Sequence, residues 1–248
     1  MTASSGNPTY RRSMPDEAVH PAAAAHRRSW PHVFTRFGAG APVMFTWLTL
    51  LAMTTVVQNV LPRMHLRELL HHESTNLHHL AANPIRVLIT SLFWIDGYAF
   101  WPYLLMFVLV LAPAERRLGS LRFVIVGLTA HVLATYLSEG YLYWQIQEAV
   151  VSPRYLNARD VGVSYFIVGI IGVLTYFIAR PWRWLYLGFA LVWFAVPVAV
   201  SAAFTPVGHL AALLVGLAWY PLTRGRGDPQ WAPDRLMSRL RRRRRTAA

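Results

Sequence analysis

Ser164 and His209 are the two residues of this chain whose side chains could act together as a nucleophile and its base. Ser164 lies in the run DVGVSY at 160–165, and His209 ends the run TPVGH at 205–209. A serine hydroxyl becomes a useful nucleophile when a neighbouring imidazole accepts its proton. Each residue lies just inside the start of an apolar segment, where ionisable groups are candidates for function. The pair predicts acyl-transfer chemistry if two helices bring it together.

The composition predicts that these segments cross a membrane. Hydrophobic residues make up 55% of the 248-residue chain and charged residues 14%, against about 25% charged in soluble domains. The chain has no cysteine, which excludes disulfides and thiolate metal sites. We therefore predict an all-α, polytopic membrane protein.

The apolar runs divide the chain into three regions. A transmembrane helix needs about 20 apolar residues. Six runs approach that length: 41–62, 98–114, 120–138, 161–179, 184–201 and 206–222. We predict a disordered cytoplasmic tail at 1–40, a six-helix membrane domain at 41–222 and an arginine-rich cytoplasmic tail at 223–248.

The arginines predict the orientation of the bundle. All 24 basic residues are arginine, and the net charge is +13. Nineteen fall on one side of a six-span topology and five on the other, so the positive-inside rule places both termini in the cytoplasm. We predict a multi-pass protein of the plasma membrane. Anionic lipid headgroups are the predicted partners of the C-terminal tail. Nucleic acid is not a predicted partner, because the arginines lie in tails and short loops.

The same topology predicts a common depth for the serine and the histidine. The fourth and sixth spans both run from outside to inside. Ser164 lies four residues after Asp160 and His209 three after Pro206. At about 1.5 Å per residue, both lie about 5 Å below the outer entry. Small residues allow such helices to pack closely, and they occur at positions 162, 169, 172, 208, 211, 212 and 216.

Three stretches resemble the rhomboid family of intramembrane serine proteases. Residues 115–123, ERRLGSLRF, are similar to the turn that joins the family's second and third helices. Residues 162–164 match the first three positions of its GxSG motif. His209, followed by Ala212 and Gly216, resembles the helix that carries the catalytic histidine. Together they suggest a divergent, bacterial-type member with a six-helix rhomboid-like bundle.

The resemblance implies a function and its residues. It implies a serine endopeptidase that cleaves transmembrane segments of substrate proteins near the outer face. Ser164 and His209 would form its catalytic dyad, and no cofactor is implied. The order and spacing of the three stretches agree with the family from about residue 84 to 222.

The sequence also departs from the family's pattern. Tyr165 replaces the last glycine of GxSG, and Ala99 and Tyr103 stand where the family has its HxxxN pair. Losing an oxyanion donor costs about 10²–10³ in rate. Gly162 and His131 are our candidates for oxyanion or structural support, with an interhelical hydrogen bond preferred for His131 over pore lining. The alternative function is a catalytically inactive rhomboid-like protein that binds transmembrane helices of client proteins.

Two other functions, metal binding and transport, are disfavoured by the sequence. The paired histidines at positions 71, 72, 78 and 79 surround Glu73. Adjacent residues on a helix do not face one another, so we predict no metal site. A transporter or channel would be expected to carry charged residues inside its spans, and the interiors of the predicted spans have none. Asp160 is interpreted as a helix N-cap.

Overall fold

The computed structural model describes residues 40–72, 74–95, 99–157, 162–201 and 203–225. Within these ranges the chain is helical and contains no β-strand. The predicted tails therefore lie almost entirely outside the described residues, and so does Asp160. The described part confirms the prediction of an all-α protein.

The α-helices follow one another along the chain with short connections. They are α1 Pro42–Val60, α2 Arg63–His72, α3 Leu77–Ala82, α4 Pro84–Thr90, α5 Trp101–Met106, α6 Ala112–Leu118, α7 Ser120–Gln147, α8 Val163–Leu174, α9 Trp182–Val200, α10 Phe204–Ala218 and α11 Tyr220–Thr223. A π-helical segment, Phe107–Leu111, joins α5 to α6, and 3₁₀ turns occur at Ser91–Phe93, Pro153–Asn157 and Thr175–Phe177.

Helices occupy all six apolar segments, but they differ in length. Among the described residues, α1, α7 and α9 are long and apolar enough to cross a membrane, whereas α8 and α10 are shorter apolar helices. The count of six spans stays a prediction. Helix α7 continues nine residues beyond the predicted end at 138. It can do so because protein surrounds its polar side chains there, including Glu139 and Gln145.

Glu115 of α6 joins that helix to the start of α1. Its buried carboxylate accepts hydrogen bonds from the backbone N–H groups of Val43, at 3.0 Å, and Met44, at 2.7 Å. The Ser120 hydroxyl donates a third bond, at 2.6 Å. The N-cap of α1 is Ala41, which offers no side-chain acceptor for the free N–H groups. The carboxylate of a different helix therefore caps α1, which explains why an acidic residue occupies this turn.

Glycines allow α7, α8 and α10 to pack with their backbones close together. A methyl group added at Gly172 would collide with the backbone of α10 at Leu213, and one at Gly216 with the α8 backbone at Gly169. One added at Gly169 would meet the Ala130 methyl of α7. Small residues permit this approach, which gains dispersion contacts along the helices. These three helices form the fixed centre of the protein, and we call them the α7–α8–α10 core.

Candidate functional site

Ser164 lies in the first turn of α8, whose N-cap is Gly162. Its side chain is half-buried. It shares a helix face with Ile167, Val168 and Ile171, since residues three, four and seven apart lie on one side of a helix. These four residues line the same cavity. The serine hydroxyl therefore belongs to an otherwise apolar face of α8.

The cavity beside Ser164 is an apolar cleft of about 480 Å³ between α5, α8 and α9. We call it the α5–α9 cleft. Besides the four α8 residues, its lining comprises Pro102, Tyr103, Met106, Val110, Tyr186, Phe189, Ala190, Trp193 and Phe194. None of these side chains carries a formal charge. Helix α9 covers the cleft loosely, because Ala190 alone is buried among its 19 residues.

His209 lies on α10 and contacts aromatic rings. The centre of its imidazole is 5.2 Å from that of Tyr165, in an edge-to-face arrangement, and 6.0 Å from that of Phe194. Among the described residues, no hydrogen bond joins the imidazole to the Ser164 hydroxyl. Phe194, which lies beside His209, also lines the α5–α9 cleft to which Ser164 belongs. One aromatic side chain thus belongs both to the cleft that Ser164 lines and to the surroundings of His209.

Tyr165 occupies the contact between α8 and α10. Successive helical residues point about 100° apart, so Tyr165 faces the core while Ser164 faces the cleft. The tyrosine is fully buried, and its hydroxyl donates a 3.3 Å hydrogen bond to the Ser138 hydroxyl of α7. The ring fills the space beside Gly208, where an added methyl group would collide with it. The bulky residue at the fourth motif position is therefore accommodated by a glycine on the opposite helix.

His131 is a fully buried residue of α7 that bonds the backbone of α4. Its Nε2 lies 2.9 Å from the carbonyl oxygen of Leu88, near the end of α4. A carbonyl only accepts, so Nε2 carries the proton, and Nδ1 can accept from the Thr135 hydroxyl at 3.5 Å. Gly162 packs directly on the imidazole, because an added methyl group would overlap the ring. In this arrangement both residues support the start of α8.

The remaining candidates fall outside the cleft or at its edge. Tyr103 lines the cleft, whereas Ala99 is exposed and does not. Among the described residues no group of three acidic or histidine side chains could hold a metal ion. The side chains of residues 71–73 lie outside the described part of the structure.

Phe194 is a site residue that could not be predicted from the sequence, because one aromatic residue among many on an apolar helix carries no distinguishing signal.

A comparison with known protein families identifies this bundle. The family described as rhomboid-like protein matches residues 36–229, which include the whole helical part described above. The chain belongs to this family. Family membership and the apolar helices together establish a rhomboid-like membrane protein.

The rhomboid-like match covers both Ser164 and His209. Searches of curated proteins and of solved structures give no significant match. The function of this rhomboid-like chain must therefore be argued from its own residues.

Proposed function

We propose that this rhomboid-like protein binds a transmembrane helix of a client protein in the α5–α9 cleft, without catalysis being required. The observation that carries the proposal is the apolar lining of that cleft together with the loose packing of α9. An apolar client helix would replace lipid along this lining, and its association would rest on side-chain packing. The Ser164 hydroxyl would offer a hydrogen bond to client backbone exposed near the outer face.

Site-specific crosslinking tests this binding. The protein is reconstituted with a single-span Leu/Ala test peptide, and a photoreactive phenylalanine replaces either Trp193, which lines the cleft, or Leu121, which is exposed elsewhere. We expect peptide adducts from position 193 and at least fivefold fewer from 121. Filling the cleft with Ile171→Trp removes the adducts at 193. Equal labelling from both positions, or labelling that survives Ile171→Trp, contradicts the proposal.

The second candidate is an intramembrane serine protease, favoured by Phe194, which lies beside His209 and lines the same cleft as Ser164. This function would require a rearrangement that brings the Ser164 hydroxyl and the His209 imidazole within hydrogen-bond distance. His209 would then accept the Ser164 proton, Ser164 would attack a peptide carbonyl, and His209 would protonate the leaving amine before water hydrolyses the acyl-enzyme. The His131 proton is already donated to Leu88, so backbone N–H groups would have to stabilise the oxyanion.

Labelling with a serine-directed fluorophosphonate separates the two functions. The protease predicts labelling of the wild type that is lost in both Ser164→Ala and His209→Ala. The helix-binding function predicts no labelling of folded wild-type protein, together with intact peptide crosslinking at position 193. Folding is checked by size-exclusion chromatography and circular dichroism of each variant.

A further inference from the structure

A second cavity lies at the other end of α8, between α6, α8 and α9. Its volume is about 250 Å³, and its lining includes Leu174, Phe177 and Arg117. Val110 and Tyr186 line both this lower cavity and the α5–α9 cleft. The two cavities therefore lie end to end along α8, with a hydroxyl at the outer end of the groove and a guanidinium at the inner end.

Arg117 is held at the mouth of the lower cavity. Its side chain is half-buried, and its guanidinium carbon lies 5.7 Å from the centre of the Phe177 ring. This cation–π contact fixes the position of the charge without neutralising it. Among the described residues, no carboxylate forms an ion pair with Arg117.

Two further arginines surround the same end of α8. Arg183 donates from Nε to the carbonyl of Ile178, at 3.1 Å, and from Nη2 to that of Tyr176, at 2.9 Å. Arg180 lies over the Trp184 ring, at 5.9 Å. In the described part of the chain neither has a carboxylate partner. Arg183 thus joins Arg117 at this end of α8, and Arg180 follows the lining residue Ile178 by two positions in the chain.

We propose that the lower cavity binds an anionic phospholipid of the cytoplasmic leaflet, with its phosphate at Arg117 and an acyl chain along the groove. A guanidinium binds phosphate by charge-assisted hydrogen bonds, and the apolar wall accepts a flexible hydrocarbon chain. The positive-inside rule assigns this arginine-bearing end to the cytoplasmic leaflet, where anionic lipids attract basic groups. The phosphate ligand in this site is Arg117 of α6 rather than an arginine of the C-terminal tail.

Photolabelling by lipid locates the site. The full-length protein is reconstituted in phosphatidylcholine vesicles that contain a trace of phosphatidylglycerol with a diazirine on its acyl chain, and adducts are mapped by mass spectrometry. We expect adducts at Val110 and Leu174, and about fivefold fewer with Arg117→Gln. Arg224→Gln is the matched control, since Arg224 also lies over an aromatic ring, that of Tyr220, but not beside the cavity.

The headgroup and the cavity are tested separately. A photoreactive phosphatidylcholine with the same acyl chains should label Val110 and Leu174 at least fivefold less than the phosphatidylglycerol. Ile178→Trp keeps all three arginines but fills the cavity, and it should reduce labelling at Val110 to a similar extent as Arg117→Gln. Equal labelling by the two lipids, equal losses in the Arg117 and Arg224 variants, or full labelling of Ile178→Trp each overturns the proposal.

Discussion

The two faces of α8 have opposite surroundings. One face carries Tyr165, Gly169 and Gly172 and packs against α7 and α10 so closely that added methyl groups would collide with neighbouring atoms. The other face carries Ser164 and Ile171 and borders an open apolar cleft. The first face fixes the position of α8 in the bundle. The second can therefore present a hydroxyl to a ligand while the first holds the helix in place.

Helix α9 and the α7–α8–α10 core also differ in how tightly they are packed. A methyl group added at Gly188 of α9 would meet no other segment within 4 Å, whereas one added at Gly169, Gly172 or Gly216 of the core would collide with a neighbouring helix. Local stability follows buried contacts, so α9 is expected to separate from the bundle at lower free energy than α7, α8 or α10. That difference suits a protein that admits a ligand from the side while its centre remains folded.

The largest expected effect comes from replacing a phenylalanine of the α7–α8–α10 core by alanine, in comparison with the same replacement in α9. Phe123 of α7 is fully buried against Phe166, at 5.3 Å between ring centres, whereas Phe189 of α9 is 65% exposed. Phe123→Ala should lower the free energy of unfolding by about 3–5 kcal/mol. Phe189→Ala should change it by less than about 1 kcal/mol. Denaturant unfolding in detergent, followed by circular dichroism, measures the free energy of unfolding of both variants. Similar losses in the two would contradict the difference in stability between the core and α9.

A somewhat smaller loss is expected when the cap of α1 is removed. Glu115→Ala leaves the N–H groups of Val43 and Met44 without their acceptor and should cost about 3 kcal/mol. Glu115→Gln keeps one acceptor oxygen and should cost less. Glu148→Ala, at an exposed site, is the control and should be within about 0.5 kcal/mol of wild type. The same denaturant unfolding experiment measures these losses. If Glu115→Ala left the free energy of unfolding unchanged, the carboxylate would not stabilise α1.

Some of these features could be predicted from the sequence and others could not. Long apolar runs predict helices because backbone groups inside a membrane must bond within their own segment. The spacing of Ser164 and His209 from their segment starts predicts a similar depth. Rotation of each helix about its axis depends on the shapes of its neighbours. For that reason neither the contact between Tyr165 and His209 nor the capping of α1 by Glu115 could be predicted from the sequence.

The same reasoning explains where segment boundaries differ. The third predicted span covers residues 120–138 and stops just before Glu139, whose charge would be costly in lipid. Helix α7 continues because Glu139 is surrounded by protein, and a single sequence does not reveal such shelter. The α5–α9 cleft was also not predicted, since a space between helices has no residue of its own to mark it.

The smallest expected effect comes from adding a single methyl group to a glycine of the core and, for comparison, to a glycine of α9. Gly172→Ala adds a carbon that the α10 backbone must move to accept, and backbone cannot move as cheaply as a flexible side chain. We expect a loss of about 1–3 kcal/mol in the free energy of unfolding. Gly188→Ala adds the same carbon in open space and replaces a poor helix former, so it should be neutral or stabilising by up to about 1 kcal/mol. Thermal unfolding in detergent ranks the two variants. If the opposite order were found, α9 rather than α10 would be the helix most tightly fixed in the bundle, and a cleft that opens beside α9 would lose its structural basis.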